Sequence, residues 1–159
     1  MLRALSVAQG LAGFLQQNSD GAAGPESSVR FARQEYPWEV TVEHRILVVD
    51  DEENICNYLA ELFRLEGWEV DAAYDGYQGV KLAADGDYDI IIMDILMPRM
   101  TGIEATREIM KRRPEAKIIV ITGAPYRRQA EEAMECGARL FIKKPFSSDK
   151  IIEAVKSLA

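Results

Sequence analysis

Short apolar segments rich in β-branched residues alternate with amphipathic segments of helical length from Arg45 to the end of the chain. The apolar segments predict five strands, and the amphipathic segments predict five helices. The first, third and fourth apolar segments show no polar alternation, which is typical of strands buried on both faces of a parallel sheet. The pattern therefore predicts an α/β domain with a doubly wound five-stranded parallel sheet. The predicted strands are 46–49, 69–73, 90–93, 117–121 and 140–142.

Residues that begin or end helices stand between the predicted strands. An apolar stripe that includes Leu59 and Phe63 follows the first strand, and Gly67 stands where a left-handed C-terminal cap would end that helix. Pro114 and Gly137 mark the ends of two later helices. The remaining helices are predicted at 76–85, 102–112, 125–136 and 149–158, and Ser147, Ser148 or Asp149 would cap the last one.

The first 44 residues do not share this pattern. Residues 1–17 place apolar side chains at near-helical intervals, which favours a weak amphipathic helix or disorder over a signal peptide. Residues 18–28 are rich in Gly, Ser, Pro and acids and predict a linker. Residues 29–44 contain aromatic side chains without a sustained period, and both loose packing on the domain and mobility stay open for them. We therefore predict a flexible N-terminal extension and linker at 1–44, mostly irregular or partly helical, and one folded domain at 45–159.

Composition and charge exclude several classes of function. The 48% hydrophobic and 28% charged residues form an ordinary globular mixture, while the formal charge of −7 argues against a nucleic-acid partner. No segment reaches the ~18 to 20 apolar residues that span a bilayer, so no membrane association is expected. Cys56 and Cys136 lack metal-ligand spacing and fall in helical patterns. They are interpreted as reduced thiols of a cytoplasmic protein.

Polar side chains follow four of the predicted strands. Asp50 and Asp51 follow the first strand, Asp94 the third, Thr122 the fourth and Lys144 the fifth. The carboxyl ends of parallel strands share one edge of the sheet, so these side chains are expected to converge there. Taken singly, each has a simpler explanation, such as helix capping by the Asp pair or a solvated surface amine for Lys144. Their joint placement favours a functional site.

Three crowded carboxylates predict a bound cation at this edge. The carboxylates would repel one another and raise one another's pKa values unless a cation lies among them. Oxygen ligands without histidine or cysteine favour Mg²⁺ over zinc. An amine and a hydroxyl beside the ion suit the oxygens of a phosphoryl group, and a carboxylate there is a plausible nucleophile toward phosphorus.

These residues resemble the receiver domain of two-component response regulators, of the chemotaxis-regulator and sporulation-phosphorelay type with a flavodoxin-like fold. The resemblance covers residues 45–159 and implies that Asp94 accepts a phosphoryl group from a phosphohistidine of a sensor histidine kinase or phosphotransfer protein. It also implies that Asp51, Asp94 and the backbone carbonyl of Leu96 bind Mg²⁺ directly, while Asp50 acts largely through water. Lys144 would contact the phosphate and precede a proline that is often joined by a cis peptide bond.

The resemblance further implies a conformational switch. Thr122 would move toward the phosphate, and Phe141 would occupy the aromatic switch position, although Phe141 as an ordinary core residue remains an open alternative. The face formed by 125–136, 139–142 and 149–158 would then change shape for a downstream protein target. A monomer and a phosphorylation-dependent homodimer are both compatible with this expectation.

Two departures from the family pattern bear on function. The usual "MPxMDG" is "MPRMTG" here, and Thr101 can still cap the following helix. The positions two residues beyond Asp94 and Thr122 are Leu96 and Ala124, and neither side chain can orient an attacking water. We therefore predict slow self-dephosphorylation. The domain is not expected to be an enzyme beyond catalysing its own phosphorylation and slow dephosphorylation.

Two further considerations complete the functional prediction. The chain ends at Ala159, directly after the last predicted helix, so a stand-alone receiver without a DNA-binding effector is expected. His44 is the only histidine and precedes a strand, which requires a separate kinase as donor. The alternative is a magnesium-dependent phosphohydrolase with an aspartate nucleophile. That class resembles "DxD" at its nucleophile, whereas this chain has "DIL", which lacks the second acid that protonates a leaving group.

Overall fold

The computed structural model describes residues 44–123 and 127–159, which contain five strands and five helices. Predictions for residues 1–43 and 124–126, which include Ala124 and the start of the predicted helix 125–136, lie outside the described residues. The strands are β1 (Arg45–Val49), β2 (Glu69–Ala73), β3 (Ile90–Asp94), β4 (Ile118–Thr122) and β5 (Leu140–Lys143). The helices are α1 (Glu53–Leu65), α2 (Gly76–Asp85), α3 (Gly102–Arg112), α4 (Arg127–Glu135) and α5 (Ser148–Leu158).

The five strands form one parallel sheet in the order β2-β1-β3-β4-β5. The chain winds outward from β1 to one edge and then from β3 to the other, so the order reverses between β1 and β3. This arrangement confirms the predicted doubly wound α/β fold. A crevice outside the carboxyl ends of β1 and β3 is the usual place for a site in such a sheet.

Helices cover both faces of the sheet and bury its alternating side chains. Ile46 and Val48 of β1 face α1 and α5, whereas Leu47 and Val49 face α2, α3 and α4. Residues of β3 and β4 alternate in the same way, and all ten of them are buried. Burial on both faces explains why these segments are apolar without a polar alternation.

The helix ends follow the sequence rules. Gly67 and Gly137 adopt positive φ angles of 89° and 109° directly beyond α1 and α4, as their positions predict. Thr101 and Glu104 form a reciprocal capping box at the start of α3, and the Ser147 hydroxyl accepts the Lys150 N–H at the start of α5.

The observed bounds differ from the predicted ones by one residue at several ends. The predicted fourth strand begins at 117 but is observed from Ile118, and β3 and β4 each include the polar residue that was expected to follow them. Asp94 stays in the sheet because it lies in register opposite Ile121. Within the described part of the chain, no helix is long and apolar enough to cross a membrane.

Candidate functional site

The carboxyl ends of β1 and β3 bring three carboxylates together. Asp50 directly follows β1 and its N–H donates to the Ala73 carbonyl, so the strand pairing continues to the edge of the sheet. Asp94 is the last residue of β3. One carboxylate oxygen from each of Asp50, Asp51 and Asp94 lies within 4.8 Å of the others. Asp50 and Asp94 are buried, and Asp51 is exposed, so the cluster opens to solvent on one side.

Lys144 places an ammonium group between the two buried carboxylates. Its Nζ lies 2.7 Å from Asp50 Oδ2 and 3.0 Å from Asp94 Oδ1. The Lys144 side chain is 15% exposed, and its backbone N–H donates to the Thr122 carbonyl at 2.7 Å. The Lys144–Pro145 peptide bond is cis, as the resemblance implies. The end of β5 is therefore tied to the ends of β1, β3 and β4.

Burial is the main cause of the raised pKa values of the two buried carboxylates, Asp50 and Asp94. Burial raises the pKa of Asp94 above its ordinary value, against the opposing charge of Lys144, and the negative charge of Asp50 raises it further. The pKa of Asp50 is also raised, mainly by burial, although hydrogen bonds from Lys144 and from the Glu52 amide oppose the change. The negative charge of Asp50 thus raises the pKa of Asp94, as predicted for neighbouring carboxylates, but it is a smaller cause than the loss of solvent.

The same pocket favours the charged form of Lys144. Burial alone would lower the pKa of Lys144, but a hydrogen bond to Asp50 and attraction to Asp94 raise it above the ordinary value for an amine. One ammonium balances only one of the three clustered carboxylates, so two negative charges would remain when all three are ionised. A divalent cation would balance that excess.

The backbone around Asp94 holds its carboxylate in one orientation. The Leu96 N–H donates to Asp94 Oδ2 at 2.7 Å. At the start of α3, Gly102 lies so close to the strand that an added Cβ would stand 1.9 Å from the Asp94 carbonyl oxygen. The Gly102 N–H donates to the Ile95 carbonyl at 3.0 Å. Helix α3 therefore begins in direct contact with Asp94, the residue that is predicted to be the nucleophile.

The two predicted switch residues lie in different environments. Thr122 ends β4 and is fully buried beside the backbone of Lys144. Phe141 lies on the edge strand β5, opposite Val120, and is 37% exposed. Phe141 is therefore not part of the buried core in this conformation, and its role as a switch residue stays a prediction.

Three contributors to the site were not assigned from the sequence. The Cys56 thiol donates to the Asp50 carbonyl at 3.3 Å, and burial raises the pKa of Cys56 to about 11, so it is a structural group rather than a nucleophile. The Glu52 carboxylate lies 3.6 Å from Lys144 Nζ. The sequence indicated this residue only as the third acid of "DDEEN". The close approach of Gly102 depends on tertiary packing and has no local indication. Cys56 and Cys136 are both free thiols, as predicted.

The donor set fits Mg²⁺. Carboxylate oxygens are the ligands that this hard cation prefers, and the three-acid cluster in the described residues includes no histidine or cysteine ligand. The site is partly open, which leaves room for water and for an oxygen of a substrate. The contribution of the Leu96 carbonyl stays a prediction.

An acidic pocket with an adjacent lysine, at the switch point of a five-stranded parallel sheet, is consistent with a receiver-type signalling domain. Residues 46–156 match the family model described as the response regulator receiver domain, and the chain belongs to this family. Receiver domains interact with histidine kinases and downstream targets, and they bind Mg²⁺ at an acidic pocket.

Similar proteins fall within the same family. The chain is 38% identical to the chemotaxis protein CheY of Thermotoga maritima over 72% of this chain and 97% of the relative. It is 40% identical to the transcriptional regulatory protein PdtaR of Mycobacterium tuberculosis over 74% of this chain, but it spans only 58% of that relative. The response regulator TrrA of Thermotoga maritima, solved in complex with Mg²⁺ and BeF, has a TM-score of 0.68 and 40% identity, covering 73% of this chain and 99% of TrrA.

Proposed function

We propose that residues 45–159 accept a phosphoryl group on Asp94 from a phosphohistidine of a sensor histidine kinase or phosphotransfer protein. The observation that carries this proposal is the cluster of three carboxylates within 4.8 Å, with the Lys144 ammonium 3.0 Å from Asp94. In the transfer, a carboxylate oxygen of Asp94 bonds to phosphorus while the bond from phosphorus to the imidazole nitrogen breaks. The imidazole leaves with that electron pair, and Asp94 becomes an acyl phosphate.

The surrounding residues would support this transfer in separate ways. Asp50, Asp51, Asp94 and the backbone carbonyl of Leu96 would hold Mg²⁺, with Asp50 acting largely through water. When bound, the ion supplies positive charge to the phosphoryl oxygens. Lys144 would act as a second positive charge for those oxygens. Burial of Asp94 and its hydrogen bond from Leu96 would keep the nucleophile in one orientation.

Phosphorylation would change a surface for protein contact. Thr122 would turn toward the phosphoryl oxygens, and Phe141 would turn inward from its exposed position. Support comes from the buried position of Thr122 at the end of β4 and from the exposure of Phe141 on the neighbouring strand. The output face would comprise 125–136, 139–142 and 149–158, acting on a downstream protein in the cytoplasm as a monomer or phosphorylation-dependent homodimer.

The phosphorylated state would be long-lived. The Leu96 side chain is apolar and 47% exposed beside the site, so it would not orient a water molecule for attack on the acyl phosphate. The domain would then catalyse only its own phosphorylation and a slow self-dephosphorylation. Rapid decay of the purified phosphoprotein, without a phosphatase, would contradict this part of the proposal.

Mass spectrometry after incubation with acetyl phosphate and Mg²⁺ tests the proposal. We expect a gain of about 80 Da on Asp94, absent in EDTA and in Asp94→Asn. Asp89→Asn is the matched control, because Asp89 is a half-exposed aspartate at the opposite end of β3 and should label as wild type does. If the folded wild-type protein gains no mass, the proposal is refuted. Mg²⁺-dependent turnover of a generic phosphate ester would favour the phosphohydrolase alternative.

A further inference from the structure

The loop between β3 and α3, residues 95–101, carries the backbone group that orients Asp94. The Leu96 N–H donates to Asp94 Oδ2 at 2.7 Å, while the Leu96 side chain is half-exposed and does not anchor the loop. Any shift in this loop moves the Leu96 amide relative to the carboxylate. The contacts that fix the loop therefore bear on the orientation of the candidate phosphoacceptor.

Arg99, in the middle of this loop, has a backbone conformation that is unfavourable for a residue with a Cβ. Its φ angle is 68°, and it is the only non-glycine residue with a positive φ in the ranges 44–123 and 127–159. The left-handed region brings Cβ close to the following carbonyl oxygen, so such a residue persists only where its surroundings hold it there. The Arg99 guanidinium donates to Asp75 Oδ2 at 2.7 Å.

Asp75 is itself held in place at the start of α2. It is the N-cap residue of that helix, and its Oδ1 accepts the Gln78 N–H at 2.8 Å. One carboxylate oxygen thus caps the helix while the other accepts from Arg99. Because the Asp75 side chain is only 24% exposed and already oriented, the ion pair needs little further ordering of the acid.

A close backbone contact lies next to this ion pair. An added Cβ on Gly76 would stand 2.7 Å from both the carbonyl oxygen and Cγ of Met100, so the start of α2 is packed directly against the loop. Gly76 follows Asp75, and Met100 follows Arg99. The loop is therefore joined to α2 by two adjacent contacts, one through atoms in van der Waals contact and one through opposite charges.

We propose that Arg99 and Asp75 form a latch that positions loop 95–101 for phosphoryl acceptance by Asp94, an inference that rests on the function proposed above. Both are positioning residues, because they act through the Leu96 amide rather than on the phosphoryl group. Ile95 and Met97 are buried and hold the ends of the loop, whereas Arg99 and Asp75 form the ion pair beside the left-handed residue itself. Without that ion pair, the strained backbone of Arg99 is less well offset, and the loop more often adopts arrangements in which Leu96 no longer donates to Asp94. We expect phosphoryl acceptance to slow by about threefold to tenfold.

Four variants separate the latch from general effects of charge. Asp75→Asn keeps a side-chain oxygen for the Gln78 N–H but removes the charge, and Arg99→Gln removes the guanidinium but keeps the Cβ and therefore the backbone strain. Glu108→Gln and Lys111→Gln are the matched controls. They remove the same two charges from an exposed ion pair of equal length, 2.7 Å, on α3.

The experiment measures two quantities for each variant. The first is the rate of labelling of Asp94 by acetyl phosphate with Mg²⁺, and the second is the amide proton resonance of Leu96 in a ¹⁵N-labelled sample without phosphodonor. We expect both latch variants to label about threefold to tenfold more slowly and to shift the Leu96 resonance upfield, as its hydrogen bond weakens. The controls should stay within about twofold of wild type, and Arg99→Lys should recover part of the rate.

The outcomes are distinguishable. Wild-type rates and an unmoved Leu96 resonance in both latch variants would overturn the latch. Equal slowing in the α3 controls would also overturn it, because surface charge alone would then explain the rates. A wild-type protein that never labels would instead refute the proposed function, while the Leu96 resonance would still decide whether the latch positions the loop.

Discussion

Replacing Gly102 with alanine tests whether the start of α3 and the end of β3 are as closely packed as the structure shows. In most helices this change is favourable, since alanine exceeds glycine in helix propensity by up to about 1 kcal/mol. Here the added Cβ would stand 1.9 Å from the Asp94 carbonyl oxygen, 2.8 Å from the Asp94 carbonyl carbon and 3.0 Å from Ile95 Cα. All three atoms belong to the backbone, so no side-chain rotation relieves the overlap.

The size of the effect follows from what must move. To bring the added Cβ to about 3 Å from the Asp94 carbonyl oxygen, α3 and β3 must move apart by about 1 Å. Strand β3 is paired with β1 on one side and with β4 on the other, so it cannot shift freely. Overpacking costs about 1–3 kcal/mol where side chains can adjust, and we place this case at the upper end. After subtracting the gain in propensity, the free energy of unfolding should fall by about 2 kcal/mol, which lowers the Tm by roughly 8 °C for a domain of this size.

Thermal and urea denaturation followed by circular dichroism measure this loss. Gly123→Ala is the control, because its added Cβ would meet no atom of the described residues within 4 Å, and we expect a change within about 0.5 kcal/mol. The folded fraction of Gly102→Ala should also label more slowly with acetyl phosphate, since the overlap falls on Asp94 itself. If Gly102→Ala melts within about 2 °C of wild type, which corresponds to a loss of only about 0.5 kcal/mol, the argument from close packing is refuted.

Three further outcomes are expected. In EDTA near neutral pH, Asp94→Asn should melt a few degrees above wild type, because burial disfavours the ionised carboxylate. Because the pKa of Asp94 is raised in the folded state, the Asp94 side chain stabilises the wild type most at low pH, and this stabilisation is lost as pH rises through that pKa. The difference in Tm between variant and wild type should therefore shrink on acidification. A lower Tm for the variant in EDTA at neutral pH would contradict this account. Lys144→Met should lower the free energy of unfolding by about 3–5 kcal/mol in urea titrations without Mg²⁺, because two buried carboxylates lose their ammonium partner. A loss below about 1 kcal/mol would show that these ion pairs are weak. Cys136 should be alkylated before Cys56 at pH 8, because Cys56 is fully buried and its pKa of about 11 leaves roughly one thiolate in a thousand. Peptide mapping measures the order of alkylation, and the reverse order would be incompatible with the structure.

Much of the fold and site followed from the chain because local chemistry and topology agree. The apolar runs that became β3 and β4 have no polar face, which only a central strand of a covered sheet accommodates. Once those strands are parallel, their carboxyl ends share an edge, and the polar residues that end them must converge. Asp50, Asp94 and Lys144 were brought together by that reasoning, and the structure places them in contact.

What the chain did not indicate depends on contacts between segments distant in sequence. A short run such as "LFI" does not show whether its strand lies at an edge, and the exposure of Phe141 follows from that position. The left-handed backbone of Arg99 has no local cause, since neither glycine nor asparagine stands there. The distance between Gly102 and Asp94 is likewise set by how α3 packs on the sheet. Local propensity contains none of this information.

The position of Lys144 gives a physical route from the acidic pocket to β4. Its ammonium is shared between Asp50 and Asp94, while its backbone N–H donates to the carbonyl of Thr122. A phosphoryl group on Asp94 would replace a carboxylate oxygen as the partner of that ammonium and add roughly −1.5 to −2 units of charge beside it. A movement of the ammonium toward the new charge that also displaces the Lys144 backbone would reach Thr122 through the hydrogen bond between them. The same residue that stabilises the unmodified pocket would then transmit the change to the end of β4, without requiring a separate chain of contacts.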